Sequence, residues 1–60
     1  MTKPIIVTVN RKRIIVRLGE QIEANRFRHD GTIGKQIPAG SLDYYDAVLR
    51  AERHRDRNQS

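Results

Sequence analysis

The chain has 60 residues, with twelve Lys plus Arg against seven Asp plus Glu, two His and no Cys, and a formal net charge of +5. This length leaves room for one domain, the lack of Cys excludes disulfides, and two isolated His residues do not make up a structural zinc site. No apolar run approaches the roughly 18 residues of a membrane span and no signal-peptide pattern is present, so we expect a cytoplasmic protein without metal or other cofactor.

Two β-branched runs near the N-terminus predict a hairpin. Residues 5–9 and 13–18 are rich in Ile and Val, and the short polar connector between them begins with Asn10, which tolerates a positive φ. A second hairpin is predicted from the turn pair Asp30-Gly31, with strands near 22–28 and 32–37. Residues 20–27 contain Glu, Gln and Ala, so a short helix is the alternative to the third strand.

The C-terminal third predicts an amphipathic helix. Ser41 is a candidate N-cap, and Asp43 follows in the first turn, where the helix dipole favours an anion. At about 100° per residue the apolar side chains occupy one arc, which predicts about three turns packed on the sheet. The residues of this arc are Leu42, Tyr44, Tyr45, Ala47, Val48, Leu49 and Ala51. The predicted fold is α+β, a small antiparallel β-meander packed by one C-terminal helix, as a single domain over residues 1–53 with a polar, flexible extension over residues 54–60.

The positive charge is concentrated in the N-terminal two thirds of the chain. Residues 1–40 have eight basic and three acidic side chains, whereas residues 41–60 have four of each. Nine of the twelve cations are Arg, whose planar guanidinium suits forked contacts with phosphate. This distribution indicates a surface for a polyanion, against the alternative that the charge only keeps a small protein soluble.

Strand alternation divides the sheet into two faces, of which one helix covers only one. The covered face is predicted to present Ile5, Val7, Val9, Ile14, Val16 and Leu18. The opposite face, called the open face below, then presents Arg13 and Arg17 beside three uncharged residues, Ile6, Thr8 and Ile15. Arg26 and Arg28 have the same parity as each other and extend the open face if the third strand pairs accordingly.

Arginine interleaved with Ile and Thr on an open sheet predicts nucleic-acid binding, with DNA favoured over RNA, because guanidinium groups reach phosphates and guanine edges. The predicted binding residues are Arg11, Lys12, Arg13, Arg17, Arg26 and Arg28, with Arg50, Arg53 and Arg57 as a second patch on the helix. The alternative is a protein-interaction module, an inhibitor or adaptor of a larger cytoplasmic machine, that uses Ile6, Thr8 and Ile15. A short chain without disulfide or metal is also expected to gain stability from a partner or from a homodimer.

The layout, a basic antiparallel sheet followed by one C-terminal helix, resembles two groups of DNA-binding proteins. One is the arm-type N-terminal domain of tyrosine integrases, with the related plant domain that lays a three-stranded sheet into the major groove. The other is the small archaeal chromatin proteins, which are barrels capped by a C-terminal helix. The resemblance covers layout and size and implies DNA binding. The chromatin proteins use aromatic residues in the sheet, whereas this chain has only Phe27 outside the helix.

No catalytic motif accompanies this pattern. The segment Gly31 to Lys35 has two residues between its glycines, where a phosphate-binding loop has four, and Gln36 follows in place of Ser or Thr. His29 and His54 lack a recognisable partner, and a small ribonuclease toxin that uses them is the third alternative. The sequence therefore predicts a non-enzymatic, nucleic-acid-binding regulatory module.

Overall fold

The computed structural model describes residues 3–59, with side chains through residue 57. Its elements are β1 (Ile5–Val9), β2 (Lys12–Leu18), β3 (Ile22–Phe27), β4 (Ile33–Gln36) and α1 (Leu42–Gln59). The four strands form one antiparallel sheet in the order β1-β2-β3-β4. The predicted α+β meander with a C-terminal helix is thus confirmed, and residues 22–27 form a strand rather than a helix.

The turn between β1 and β2 consists of Asn10 and Arg11, with φ values of 51° and 64°. Two consecutive positive φ values are the requirement of the type I′ turn, which matches the twist of a hairpin. The positive φ expected for Asn10 is confirmed, whereas that of Arg11 was not expected. An L-residue with a side chain pays about 1–2 kcal/mol for this conformation, which glycine adopts freely. The turn therefore holds a long cationic side chain at a position that favours Gly.

The turn between β3 and β4 is closed by its own backbone. The Arg28 N–H donates to the Thr32 carbonyl at 3.0 Å, and the Gly31 N–H donates to the Arg28 carbonyl at 3.0 Å. Gly31 has a φ of 88°, which a residue with a Cβ rarely adopts. These bonds fix the path of residues 28–32, and the expected Asp30-Gly31 turn is confirmed.

The core lies between α1 and one face of the sheet. The strands contribute Val7, Val9, Ile14, Val16 and Leu18, as expected from alternation, and Ile5 is half-buried at the margin. From the helix, Ala47 and Ala51 are fully buried, which brings the helix backbone close to the sheet. Two further aliphatic residues, Ala24 and Ile37, complete the core, and the Ile37 N–H donates to the Ala24 carbonyl at 2.8 Å.

The buried stripe of α1 is narrower than the predicted arc. Tyr44 and Val48 pack against the core together with the two buried alanines, a spacing of i, i+3, i+4 and i+7. Three members of the predicted arc are instead exposed: Leu42 by 85%, Tyr45 by 65% and Leu49 by 37%. The expectation that the whole arc packs on the sheet is wrong, because a cylinder resting on a small sheet contacts it along one stripe only.

The length of α1 also differs from the expectation of about three turns. The helix has 18 residues, which is about five turns, and it continues through residues 54–59. Arg and Glu are good helix formers, and Arg57 in the last turn complements the helix dipole, so no apolar contact is needed to extend the helix. At the other end Ser41 is the N-cap as predicted, since its Oγ accepts from the Tyr44 N–H at 3.2 Å. Within residues 3–59, no helix combines the length and apolar character needed to cross a membrane.

Candidate nucleic-acid interface

The β1–β2 and β3–β4 turns lie at the same end of the sheet, because alternate turns of a meander share one end. A shallow depression of about 480 Å³ lies between them and is called the basic depression below. Six of its lining residues are cationic: Arg11, Lys12, Arg13, Arg26, Arg28 and Lys35. The others are Thr8, Phe27, His29 and Gly34. Residues from four strands and two turns are thereby brought to one concave surface.

No Asp or Glu is among the described residues that line the basic depression. The nearest acid along the chain, Asp30, accepts hydrogen bonds from Thr32, at 2.6 Å from Oγ1 and 3.0 Å from the backbone N–H. The side-chain bond, followed by the backbone bond, lowers the pKa of Asp30 below its ordinary value of 3.8. The carboxylate is thus ionised and hydrogen-bonded within its own turn, and Asp30 is not among the residues that line the depression.

Among the described residues, Lys12 is the one cation of the depression that lies within 4 Å of a carboxylate oxygen. Its Nζ lies 3.9 Å from an Asp43 carboxylate oxygen, and Asn10 Nδ2 donates to the other oxygen at 3.2 Å. Asp43 begins α1, so these contacts join the β1–β2 turn to the first turn of the helix. We therefore expect Lys12 to contribute less to anion binding than Arg11 or Arg13, which flank it.

Arg26 lies on a different face from the one expected. It pairs with Ile14, which is buried under α1, whereas Asn25 and Glu23 pair with Ile15 and Arg17 and so belong to the open face. The expectation that Arg26 extends the open face is wrong, because the register of β3 places the opposite parity there. Its side chain is nevertheless exposed and lines the basic depression.

Gly34 allows Arg26 and Arg28 to lie against the backbone of β4. A Cβ at position 34 would lie 3.1 Å from Arg26 Cβ and 3.4 Å from Arg28 Nε. Arg28 is therefore on the same side as Arg26, beside the β3–β4 turn, and not on the open face as expected. The close approach at Gly34 sets the position of two of the six cations.

The open face contains the other residues predicted for it. Thr8 pairs with Arg13, and Ile6, which is 50% exposed, pairs with Ile15, so that these residues and Arg17 share one surface. Arg17 lies opposite Glu23 and lines a separate shallow depression of about 230 Å³. Because the charges of Arg17 and Glu23 offset each other, the open face is less basic than the sequence indicates. Arg13 belongs both to this face and to the basic depression.

The helical patch consists of Arg50, Arg53, His54 and Arg57, which line a depression of about 220 Å³ on α1. The three arginines predicted for the helix are thus brought together, but away from the residues that line the basic depression. His54 belongs to this patch, whereas His29 lines the basic depression. The two histidines do not share a depression, as a reaction that uses both as acid and base requires.

Three residues of the basic depression were not among the predicted site residues, namely Phe27, Gly34 and Lys35, and His29 was considered only for the ribonuclease alternative. The signal that finds them is the topology itself, since a four-stranded meander places residues after β3 and before β4 next to the β1–β2 turn. Comparison with models of known protein families, with curated proteins and with solved structures finds no match for this chain.

Proposed function

We propose that this protein is a non-enzymatic regulatory module that binds nucleic acid, DNA in preference to RNA, through the basic depression. One observation supports this most strongly: six Lys and Arg side chains converge on a concave surface whose described lining includes no Asp or Glu. Cations that neutralise phosphates release condensed counterions, which is the main driving force of backbone binding. The preference for DNA follows the layout shared with sheet-based DNA-binding proteins.

The cations are not equivalent in this proposal. Arg11, Arg13, Arg28 and Lys35 contact phosphate directly, whereas Lys12 is shared with Asp43. Arg17 is offset by Glu23, and the helical patch serves as a weaker secondary contact. About five or six neutralised phosphates predict that log K falls with log salt at a slope of about −5 on a duplex.

The salt slope is measured by fluorescence anisotropy of a labelled oligonucleotide between about 50 and 200 mM salt. A slope near zero contradicts phosphate binding by this protein. A slope near the expected value shows phosphate binding but does not locate the binding site. The salt titration is therefore combined with charge-reversing substitutions on β2.

Arg13→Glu and Arg17→Glu are matched substitutions on β2. Both residues are exposed and share the open face, but only Arg13 lines the basic depression. Each lost phosphate contact costs about tenfold in affinity at 0.1 M salt, so Arg13→Glu weakens binding by at least that factor, and Arg17→Glu has a clearly smaller effect. Equal losses of affinity in the two variants would indicate that the interface is the open face. Retained affinity in both variants would refute the proposal. Thermal unfolding monitored by circular dichroism verifies that both variants fold.

A protein-interaction module remains the second candidate, favoured by apolar exposure on the open face. Ile6 is 50% exposed opposite Ile15, and Ile33, which pairs with Phe27 on the same face, is 57% exposed. Together with Thr8 these residues form a surface for an apolar partner. Combined Ile6→Ala and Ile15→Ala substitution then abolishes capture of the partner in a pull-down. Capture survives nuclease treatment and raised salt if this candidate is right, and is lost under both if phosphate binding is right.

The ribonuclease alternative depends on His29, since His54 lines a different depression. A hydrolytic activity at the basic depression would therefore use one histidine beside several arginines. Incubation of labelled RNA with the protein tests this candidate, and cleavage that disappears with His29→Ala would support it. Intact RNA leaves the depression as a binding surface.

A further inference from the structure

Phe27 is the one aromatic residue of the sheet, and it lines the basic depression. It is half-buried, yet among the described residues neither the core nor its partly buried rim includes it. Phe27 therefore lies outside the core between α1 and the sheet, with Ile33 as its cross-strand neighbour. An aromatic ring in a depression rich in cations suits a flat, partly apolar ligand.

Cations from both hairpins line the same depression as Phe27. The β1–β2 hairpin supplies Arg11 and Arg13, and Arg13 is next to Phe27 across the strand pair, one step beyond the Ile14–Arg26 pair. The β3–β4 hairpin supplies Arg28 and Lys35. A planar base that stacks on Phe27 thus has cations of both hairpins nearby. These cations can neutralise the phosphates that precede and follow the base in a nucleic-acid chain.

The shape of the depression favours an unpaired nucleotide over a duplex. Its volume of about 480 Å³ lies within the range of about 300–1,000 Å³ that is typical of small-ligand sites. In a duplex the faces of the bases are stacked on one another and out of reach of a protein ring, whereas in a single strand they are free to stack on aromatic side chains. The major groove of a duplex admits a helix or a two-stranded ribbon, whereas this surface is a depression.

We propose that the basic depression binds single-stranded nucleic acid, with one unpaired base stacked on Phe27 and its neighbouring phosphates on Arg11, Arg13, Arg28 and Lys35. This inference rests on the proposed nucleic-acid binding and narrows its ligand to a single strand. Binding without strong sequence preference is expected, because every base has a face that can stack. Salt dependence is then shallower for the single strand than for a duplex at the same number of contacts.

The test compares one labelled oligonucleotide, single-stranded and annealed to its complement, by anisotropy against wild type, Phe27→Leu and Phe27→Tyr. Wild type binds the single strand more tightly. Phe27→Leu keeps apolar bulk but removes the stacking face, and it weakens single-strand binding by about tenfold while leaving duplex binding unchanged. Phe27→Tyr restores single-strand binding. Thermal unfolding of each variant verifies the fold.

An abasic version of the same single strand separates stacking from a change in the shape of the depression. If the base stacks on Phe27, the abasic strand binds wild type and Phe27→Leu with equal affinity. An equal loss for abasic and normal strands in Phe27→Leu overturns the stacking role. Preference for the duplex, with no effect of Phe27→Leu, overturns the inference but leaves the proposed function standing. No binding of either strand form at low salt overturns both.

Discussion

The basic depression and the helical patch are both rich in arginine, but they are assembled in different ways. The six cations of the depression come from three separate stretches of the first 40 residues, and no Asp or Glu is among the described residues of the lining. The helical patch lies on one element, in a segment whose four basic residues are matched by four acids. The densest run of arginine in the sequence, residues 53–57, is therefore not the place where positive charge accumulates.

The difference follows from the range of electrostatic forces. At physiological salt the screening length is about 8–10 Å, so acids on the same helix reduce the potential of the patch. Arg55 Nε lies 3.9 Å from an Asp56 carboxylate oxygen, and the partial negative charge of the helix C-terminus acts in the same region. In the depression like charges add within a concave surface, which concentrates the field. Topology, rather than the local density of arginine in the sequence, thus decides where positive charge is concentrated.

Charge reversal of two residues in each region tests this comparison most directly. Arg13→Glu with Arg28→Glu removes two of the proposed phosphate contacts from the depression, and the expected loss of single-strand or duplex affinity is about 100-fold at 0.1 M salt. Arg50→Glu with Arg53→Glu makes the same change of net charge on the helix, and the expected loss is less than about tenfold. Anisotropy titrations at one fixed salt concentration measure both.

All four of these side chains are exposed, so neither double variant should lower the melting temperature appreciably. The proposed difference between the two regions is wrong if the double substitution on the helix lowers affinity as much as the double substitution in the depression. In that case net charge alone, and not its concentration in the depression, governs binding.

Arg11 offers a second test because its backbone conformation lowers the stability of the fold, whereas its side chain is proposed to raise the affinity for the ligand. Arg11→Gly removes the cost of a positive φ, so the free energy of unfolding rises by about 1 kcal/mol and the melting temperature by about 4–8 °C. It also removes a cation of the depression, so affinity falls by about tenfold. Calorimetry and anisotropy on the same sample measure the two effects.

Arg11→Lys is the matched control, since it keeps the charge and the strained backbone. We expect unchanged stability and nearly unchanged affinity. A gain in stability without loss of affinity in Arg11→Gly would show that the Arg11 side chain does not contact the ligand.

Gly34 tests whether two cations need their close approach to β4. In Gly34→Ala the new Cβ meets Arg26 Cβ at 3.1 Å, and this neighbour is fixed to the backbone, so β4 or Arg26 must shift by a few tenths of an ångström. We expect a several-fold loss of affinity, smaller than that of a charge reversal, and a lower melting temperature. Gly40→Ala, where no atom lies within 4 Å of the added Cβ, is the control with neither effect. Equal affinities of the two variants would show that Gly34 does not position Arg26 and Arg28.

The strands could be predicted from the sequence because their signals are local. Alternation over residues 5–18 separates Val7 and Ile14 from Ile6 and Ile15, and the structure confirms this separation. The N-cap at Ser41 is equally local and was predicted correctly. Each of these features depends on residues within a few positions of one another.

The features that could not be predicted depend on register and on packing at a distance. The register in which β3 pairs with β2 determines the face on which Arg26 lies. If that register changes by one residue, every side chain of β3 moves to the opposite face of the sheet. The exposure of Leu42 and Tyr45 depends on how α1 is rotated on the sheet. The basic depression depends on both turns sharing one end of the sheet, which brings Lys35 to Arg11 across 24 positions of sequence.

The smallest expected effect concerns the carboxylate that lies next to the depression in the chain. Asp30 has a lowered pKa because Thr32 donates to it from Oγ1 and from the backbone. An ionised carboxylate with a lowered pKa stabilises the fold above its ordinary value of 3.8, and this contribution is lost as the pH falls through the lowered value. Thr32→Val removes the side-chain bond, so the pKa rises back toward 3.8 in an NMR titration, whereas Thr32→Ser keeps it low. At neutral pH the carboxylate is then held by the backbone N–H of residue 32 alone and can turn toward the cations more easily, so Thr32→Val also weakens anion binding slightly. An unchanged pKa in Thr32→Val would show that the hydroxyl does not hold Asp30 away from the basic depression.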